Sequence, residues 1–364
     1  MALSKTQLAT VDVELERESP LPKSNRRTDL PVLLLHNLDD AWEPADFEKA
    51  LDEVGDLEQA LRNQGHPVTN IPVYDSDLES HLKNYDPDEY IVFNGCEGLP
   101  GIPFSEGTVA ETLEAMGFTY TGSPPEVLST GWDKAKVKKR LGSCGVPIPA
   151  WKIFTSAHVD GWRKFPAIVK PAREHSSCGL SREAVVLSQE KMLSRTAYVL
   201  DNFQQPVIVE DFIDGREFHV SLWGNQSVKV LPPAEMDFSA FTDVEDRLCT
   251  FDAKHKPDSS AYEKICLRIP ASLSETEYKE LERIARRAYR VIGCRDYARM
   301  DIRLRDGVFY ILDVNTNPDV SSDTSMAFAA KLAGYSYGAM LSQMVNFAAR
   351  RHPFLHRGFP TPTH

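Results

Sequence analysis

The chain has 364 residues, enough for two or three compact domains, with 42% hydrophobic and 26% charged residues, as in ordinary globular enzymes. Its 53 carboxylates outnumber 41 lysines and arginines, giving a net charge of −12. That balance argues against nucleic-acid binding through bulk charge, so any polyphosphate must meet a local cluster of cations.

The six cysteines are scattered, without CxxC pairs or histidines at zinc-ligand spacing, and read as reduced thiols of a cytoplasmic protein. The acidic start (Asp12, Glu14, Glu16, Glu18) predicts no signal peptide. The longest early apolar run, Pro31–Leu35, is too short to span a bilayer.

Residues up to about Asp29 are polar and aperiodic and read as a loose tail. Pro31–His36 predicts a buried strand, and Phe47, Ala50, Leu51, Val54, Leu57 and Leu61 predict a helix closed by Gly65. Strands at Val68–Val73 and Tyr90–Asn94 and a helix from about Glu106 to Gly117 complete an alternation that predicts an α/β domain with a parallel sheet. Further on, Phe165–Lys170 and Val207–Glu210 read as strands. Ser274 and Glu277 form a capping box that opens a long helix, stopped by Gly293.

The richest segment is Ala298–Asn315, two strands around Asp306-Gly307 that predict a hairpin. Alternation puts Arg299, Asp301 and Arg303 on one face, with Asp313 and Asn315 sharing a face on the second strand. Two carboxylates and an amide oxygen suit magnesium better than zinc, although a solvated hairpin face reads equally well. For Asp301 and Asp313 to meet, we expect a three-residue loop, Arg305-Asp306-Gly307, because a two-residue turn would set them on opposite faces.

Lys170 ends a strand before the small-residue loop Ala172–Gly179, whose amides could wrap phosphate, or which could be an ordinary turn; neither a Walker loop nor GxGxxG is present. In Val207–Phe218, the strand ending at Glu210 could face an adenine and Glu217 a ribose. A strand with a charged exit reads as well locally. His219 and Trp132, Trp162 and Trp223 read as packing residues.

Taken in order, Tyr120-Thr-Gly-Ser123, Asp133-Lys134, Ile168-Val-Lys-Pro171 with Arg173-Glu174 and Ser176-Ser177, Glu210 with Glu217-Phe218, Phe251-Asp-Ala-Lys254, Arg299-Met-Asp301 and Asp313-Val-Asn-Thr-Asn-Pro318 resemble the ATP-grasp superfamily, and most closely its D-alanine–D-alanine ligases. The likeness runs from about Asn94 to about Val345.

It implies an ATP-grasp fold behind an N-terminal parallel-sheet domain: a tail over 1–28, an α/β domain over 29–123, a central lobe over 124–205, a C-terminal metal lobe over 206–350 and a tail over 351–364. It also implies an ADP-forming carboxylate–amine ligase that works through an acyl phosphate on amino acids.

By the same resemblance Lys134 and Lys170 would contact ATP phosphates, with Glu174 and Ser177 beside the nucleotide. Glu210, Phe212 and Ile213 would hold adenine, and Glu217 the ribose. Asp301, Asp313 and Asn315 would bind two magnesium ions, with manganese as an alternative. Lys254 would reach the γ-phosphate from a lid within Asp237–Ser260, Arg299 would stabilise developing charge, and Ser176 would sit near the substrates. Neither nucleic acid nor membrane is expected as a partner, and a homodimer is left open.

The likeness fails on the amino-acid side. Leu38-Asp-Asp-Ala-Trp-Glu43 does not match the family's N-terminal signature, and Asn94-Gly-Cys-Glu-Gly98 lacks its histidine-glycine pattern. His255 stands where the family has tyrosine, and Asp319 where it has glycine. We therefore expect different amino acids from those of a cell-wall ligase. A genuine D-alanyl ligase and a nucleotide-binding regulator without catalysis remain as alternatives.

Overall fold

The computed structural model describes residues 26–39, 42–175, 177–250 and 264–357. Ser176, Lys254 and most of the expected N-terminal tail lie outside the described residues.

The first layer is a four-stranded parallel sheet of β1 (Val32–Asn37), β2 (Val68–Val73), β3 (Ile91–Gly95) and β4 (Thr119–Tyr120), in the order β2-β1-β3-β4. Both faces are covered, which is why β1 reads as an unbroken apolar run. Val32 and Leu34 meet Leu57 and Leu61 of α1 (Pro44–Gln64), whereas Leu33 and Leu35 meet α2 (Leu78–Leu82) and α3 (Glu106–Ala115). Gly65 ends α1 in the left-handed region at φ 105°, where a side chain would be strained.

α4 (Pro125–Gly131) and α5 (Lys134–Ser143) lead into an antiparallel sheet of β5 (Trp151–Phe154), β6 (Ala167–Pro171), β7 (Val185–Val186) and β8 (Val207–Asp211), in the order β5-β8-β6-β7. One face packs on α6 (Gln189–Phe203) through Val169, Val207, Val209 and Val199. The other presents Ile168, Lys170 and Glu210 to the cleft. A lobe boundary at 205/206 would cut this sheet, because β8 pairs with both β5 and β6. The lobe division we propose therefore falls after Asp211.

The third sheet contains β9 (Arg216–Trp223), β10 (Lys229–Val230), β11 (Ala234–Asp237), β12 (Cys266–Arg268), β13 (Tyr297–Arg305) and β14 (Val308–Asn315). Its order is β12-β11-β9-β13-β14, with β10 on β9. The apolar stripe of α7 (Glu275–Ile292), opened by the expected capping box and stopped by Gly293, covers Phe218, Val220, Leu222, Met300 and Ile302. Last come α8 (Ser325–Leu332) and α9 (Tyr337–Ala349). α9 returns to pack on α1, β3 and β4, so a helix assigned above to the last lobe completes the first layer.

Both presumed tails are shorter than expected. The Arg27 amide donates to Asn346 Oδ1 at 2.7 Å, and His352, 1% exposed, contacts the Pro87 carbonyl at 3.0 Å.

The hairpin corrects one expectation. Its turn has two residues, Asp306 and Gly307, both left-handed at φ 52° and 75°, as a type I′ turn requires. The register is restored instead by a bulge at Leu312, so that Asp301 pairs with Asp313 and Arg299 with Asn315. Before the bulge Phe309 and Ile311 enter the core; after it Val314 does, leaving Asp313 and Asn315 on the cleft face.

A β-carbon at Gly307 would meet nothing within 4 Å, so substitution costs backbone strain alone. Gly307→Ala should lower the unfolding free energy by about 1–2 kcal/mol, measured by denaturant titration.

Candidate active site

A cavity of about 550 Å³ opens between the three sheets, and every candidate residue among the described ones lines it. The cation cluster required by an acidic chain is built from two strands and one helix. Lys134 and Lys138 sit one turn apart on α5, whose N-cap Asp133 accepts from the Lys136 amide at 3.0 Å; Lys170 ends β6, and Arg299 lies on β13.

Each cation already has a carboxylate. Lys134 Nζ is 2.6 Å from Asp313 Oδ2, and Arg299 Nε is 2.8 Å from Asp301 Oδ1. Lys138 and Lys170 both reach Glu210 at 3.0 Å. Glu210 is 1% exposed, and the two ammonium groups overcome its burial and hold it below the usual carboxylate range. Burial lowers the Lys138 ammonium against the pull of Glu210. For Lys170 burial acts the same way, but Glu210, Asp313 and Asp301 outweigh it and raise its pKa. Asp313, likewise buried, is held far down by Lys134 and Lys170.

Lys138 escaped the sequence reading, although its i,i+4 spacing from Lys134 was a signal. Its Nζ also donates to the Leu312 carbonyl at 3.2 Å, at the bulged residue. Helix and hairpin are thus tied at the point where the register shifts.

The connector between β8 and β9 is shaped by Arg303, which sequence reasoning placed on the correct face without a role. Its Nε donates to Glu217 Oε2 at 2.7 Å and its Nη1 to the Ile213 carbonyl at 2.9 Å, while its guanidinium lies 4.6 Å from the Phe212 ring centre. In the small-residue loop, Ser177 has φ 62° and donates to the Cys249 carbonyl at 2.9 Å, and Glu174 accepts from Gln205 Nε2 at 2.7 Å.

The hairpin carboxylates fit a divalent cation only in part. Asn315 Nδ2 lies 3.2 Å from Asp301 Oδ2, and among the described residues no group of three His, Cys, Asp or Glu side chains forms a metal cage. Two carboxylates and one amide suit a hard ion that keeps open positions for phosphate oxygens and water.

Three further wall residues were not foreseen. Glu106, 7% exposed, accepts from Asn317 Nδ2 at 2.8 Å and from Trp132 Nε1 at 3.1 Å. Burial pushes its carboxyl up to about 8, against those two donors and with help from Glu97. Trp132, read from sequence as packing, thus lines the cavity, as does His219, whereas Trp162 and Trp223 are buried in apolar clusters. His175 stands edge-on to Trp132 at 4.2 Å, and burial followed by the Lys134 charge lowers it to about 4.

One end of the cavity is acidic. Glu53, Glu97 and Asp319 line it with Lys49, which is 3.5 Å from Glu53. Burial, then Asp319 and Glu53, push Glu97 up.

Comparison with known proteins agrees with this geometry. A family model described as the D-ala D-ala ligase C-terminus matches residues 143–346. An uncharacterized protein, y4sG, of Sinorhizobium fredii is 33% identical over 302 residues, covering 80% of this chain and 86% of that one. A D-alanine–D-alanine ligase of a Marinomonas species is 29% identical over 301 residues, covering 80% and 88%. The solved D-alanine–D-alanine ligase of Bacillus anthracis complexed with ATP superposes with a TM-score of 0.69 at 20% identity, covering 89% of this chain and 98% of that one.

Fold and matches together define an ATP-grasp, ATP-dependent ligase that forms amide bonds and releases ADP. The chain belongs to the D-alanine–D-alanine ligase family. No helix among the described residues is long and apolar enough to cross a membrane.

Glu210→Gln would leave Lys138 and Lys170 buried without their shared counter-charge. It should cost about 3–5 kcal/mol in unfolding free energy by urea titration, a loss expected when one member of a buried ion pair is removed.

Proposed function

We propose that the enzyme joins two amino acids, activating the carboxylate of one with ATP and coupling it to the amine of the other. The observation that carries this reading is the set of pre-paired charges in one cavity: Lys134 with Asp313, Lys170 with Glu210, and Arg299 with Asp301. Each pair can exchange partners when ATP enters, the cations turning to phosphate and substrate oxygens and the hairpin acids to a metal.

In the first step a donor carboxylate oxygen attacks the γ-phosphorus and ADP leaves, so a poor electrophile becomes an acyl phosphate. In the second, the neutral acceptor nitrogen attacks the acyl carbon, the C–N bond forms, the bond to phosphate oxygen breaks and inorganic phosphate departs with the proton that the nitrogen loses. Such transfers need positioning and charge neutralisation more than covalent help from the protein. Lys134 and Lys170 would hold the phosphates, with Lys138 fixing Lys170 through Glu210. Arg303 would set Phe212, Ile213 and Glu217 for adenine and ribose, and Arg299 would meet the oxygen on which charge develops.

Magnesium or manganese held by Asp301, Asp313 and Asn315 would neutralise phosphate charge and polarise its oxygens. ATP and free amino acids are cytoplasmic, and we place the enzyme there.

The acidic end of the cavity bears on the acceptor. Asp319, Glu53 and Glu97 outnumber Lys49 around it. This favours an acceptor with an additional amine over a small neutral amino acid.

Two experiments test the proposal. A scan of amino-acid pairs for ATP-dependent phosphate release should find turnover that Asp313→Ala abolishes and Arg299→Ala lowers by about 10²–10³, the scale for loss of one charge-stabilising donor. Parent-level turnover in both variants would refute these roles. Acceptor competition should show Asp319→Gly shifted toward neutral acceptors. An unchanged preference, with D-alanine already best for the parent, would identify a true D-alanyl ligase.

A further inference from the structure

Glu106 belongs to the first layer, yet it contacts both halves of the nucleotide cleft. It is the first residue of α3, and close backbone approach brings it there: a β-carbon on Gly107 would lie 2.0 Å from Ser129 Oγ on α4. At the far end of α4, a β-carbon on Gly131 would lie 2.7 Å from Thr316 Oγ1, so α4 also abuts the loop that leaves the metal hairpin. A side chain at either glycine would force Ser129 or Thr316 to shift.

Into the space between these elements projects Trp132. Its ring is 5.4 Å from Phe104 and 4.2 Å from His175, edge-on to both, and its Nε1 donates to Glu106 Oε2. The other carboxylate oxygen, Oε1, accepts from Asn317 Nδ2, and Asn317 Oδ1 accepts in turn from Tyr297 Oη at 3.2 Å. One buried carboxylate therefore reaches the residue before the N-cap of the lysine helix, the loop two residues past Asn315, and, through the indole, the phosphate-facing loop at His175. These are three walls of one cavity, contributed by separate parts of the chain.

We propose that Glu106 is a positioning residue for the ligase reaction, holding Trp132 and Asn317 so that the lysine helix, the phosphate loop and the exit of the metal hairpin stand in their working register. Its carboxylate touches no reacting atom in this role. It acts through the indole and the amide, and both oxygens are already engaged by N–H donors. Above its raised pKa the Glu106 carboxylate accepts at both oxygens, whereas glutamine must turn an NH2 toward one of the two donors. Burial makes the two hydrogen bonds costly to lose. The first layer is thereby coupled to the nucleotide site through hydrogen bonds and not through contact with a reacting atom.

This inference rests on the ligase reading, and its test separates the two. Phosphate release is followed with the best amino-acid pair for the parent, Glu106→Gln, Glu106→Ala, Trp132→Phe and the double variant Glu106→Ala/Trp132→Phe. Affinity for a non-hydrolysable ATP analogue is titrated in parallel. Glu106→Ala should lower kcat by about 10- to 100-fold, the scale of a small misplacement of reacting groups, with analogue affinity nearly unchanged. Glu106→Gln should fall between it and the parent. Trp132→Phe should reduce kcat in the parent and have no further effect in the Glu106→Ala background, because both changes break one link.

Parent-like kcat in the Glu106 variants, or effects that multiply in the double variant, would overturn the proposal. So would a fall in analogue affinity as large as the fall in kcat, which would mark a general loss of structure. If Glu106→Ala does not fold, Glu106→Gln and Trp132→Phe give the same comparison. A parent without turnover on any amino-acid pair would instead count against the ligase reading.

Discussion

The cleft depends on charges that are buried and cancelled before any ligand arrives. A chain of net charge −12 cannot draw a polyphosphate to its surface by bulk attraction. It can do so locally if several cations converge, but converging cations repel one another and lose hydration. Glu210 resolves this by standing between Lys138 and Lys170 at 3.0 Å from each, and Asp313 does the same for Lys134 at 2.6 Å. The lysines are held close together beside carboxylates, and in the proposed function an incoming phosphate competes there with a carboxylate and not with bulk water. Removing the anion from such a group would leave buried cations without a counter-charge, so carboxylates and lysines have to occur here together.

The geometry that allows this cancellation follows from strand periodicity. On β6 and β8 alternate residues go to the α6 side as valines and to the cleft as Ile168, Lys170 and Glu210. On β13 the same alternation sends Met300 and Ile302 to α7 and Arg299, Asp301 and Arg303 to the cleft. Strand β14 would violate it, because Phe309 and Ile311 are apolar with the parity of Asp313. The bulge at Leu312 shifts the phase by one residue, and the bulged carbonyl, displaced from the ladder, accepts from Lys138. One irregularity thus keeps aspartate out of the core and anchors the lysine helix.

Much of this was legible from residue order. The parallel sheet followed from Val32–Leu35 with flanking helical stripes, the α7 boundaries from Ser274, Glu277 and Gly293, and the shared face of Asp301 and Asp313 from the chemistry they would have to perform. What could not be read was how the register is achieved. A three-residue loop and a two-residue turn with a downstream bulge satisfy the same requirement, and Asp306-Gly307 has the chemistry of either. Lys138, Arg303 and Glu106 were hidden for a different reason. Their partners, Glu210, Glu217 and Asn317, lie 72, 86 and 211 residues away in sequence. No local pattern marks such a contact. A lobe boundary before β8 and one after it read alike in the sequence, because β8 resembles any short buried strand until its partners β5 and β6 are known.

The departures from the family pattern now have a spatial meaning. Most of the matching residues among the described ones lie on or beside the two antiparallel sheets and α5, where the proposed phosphate contacts would be the same for any carboxylate substrate. Of the divergent ones, Glu97 and Asp319 line the end of the cavity where the first sheet meets the hairpin exit, and there, on the proposed function, the amino acids would have to be distinguished. On the proposed function, chemistry and selectivity would be carried by different layers of the fold. Such a division lets one vary while the other is kept, provided the layers hold a fixed relation. The contacts of Glu106 with Trp132 and Asn317, and of α9 with the first sheet, are the places where that relation is physically maintained. A family can change its amino acids at one end of the cavity without disturbing phosphoryl transfer at the other only while such contacts persist.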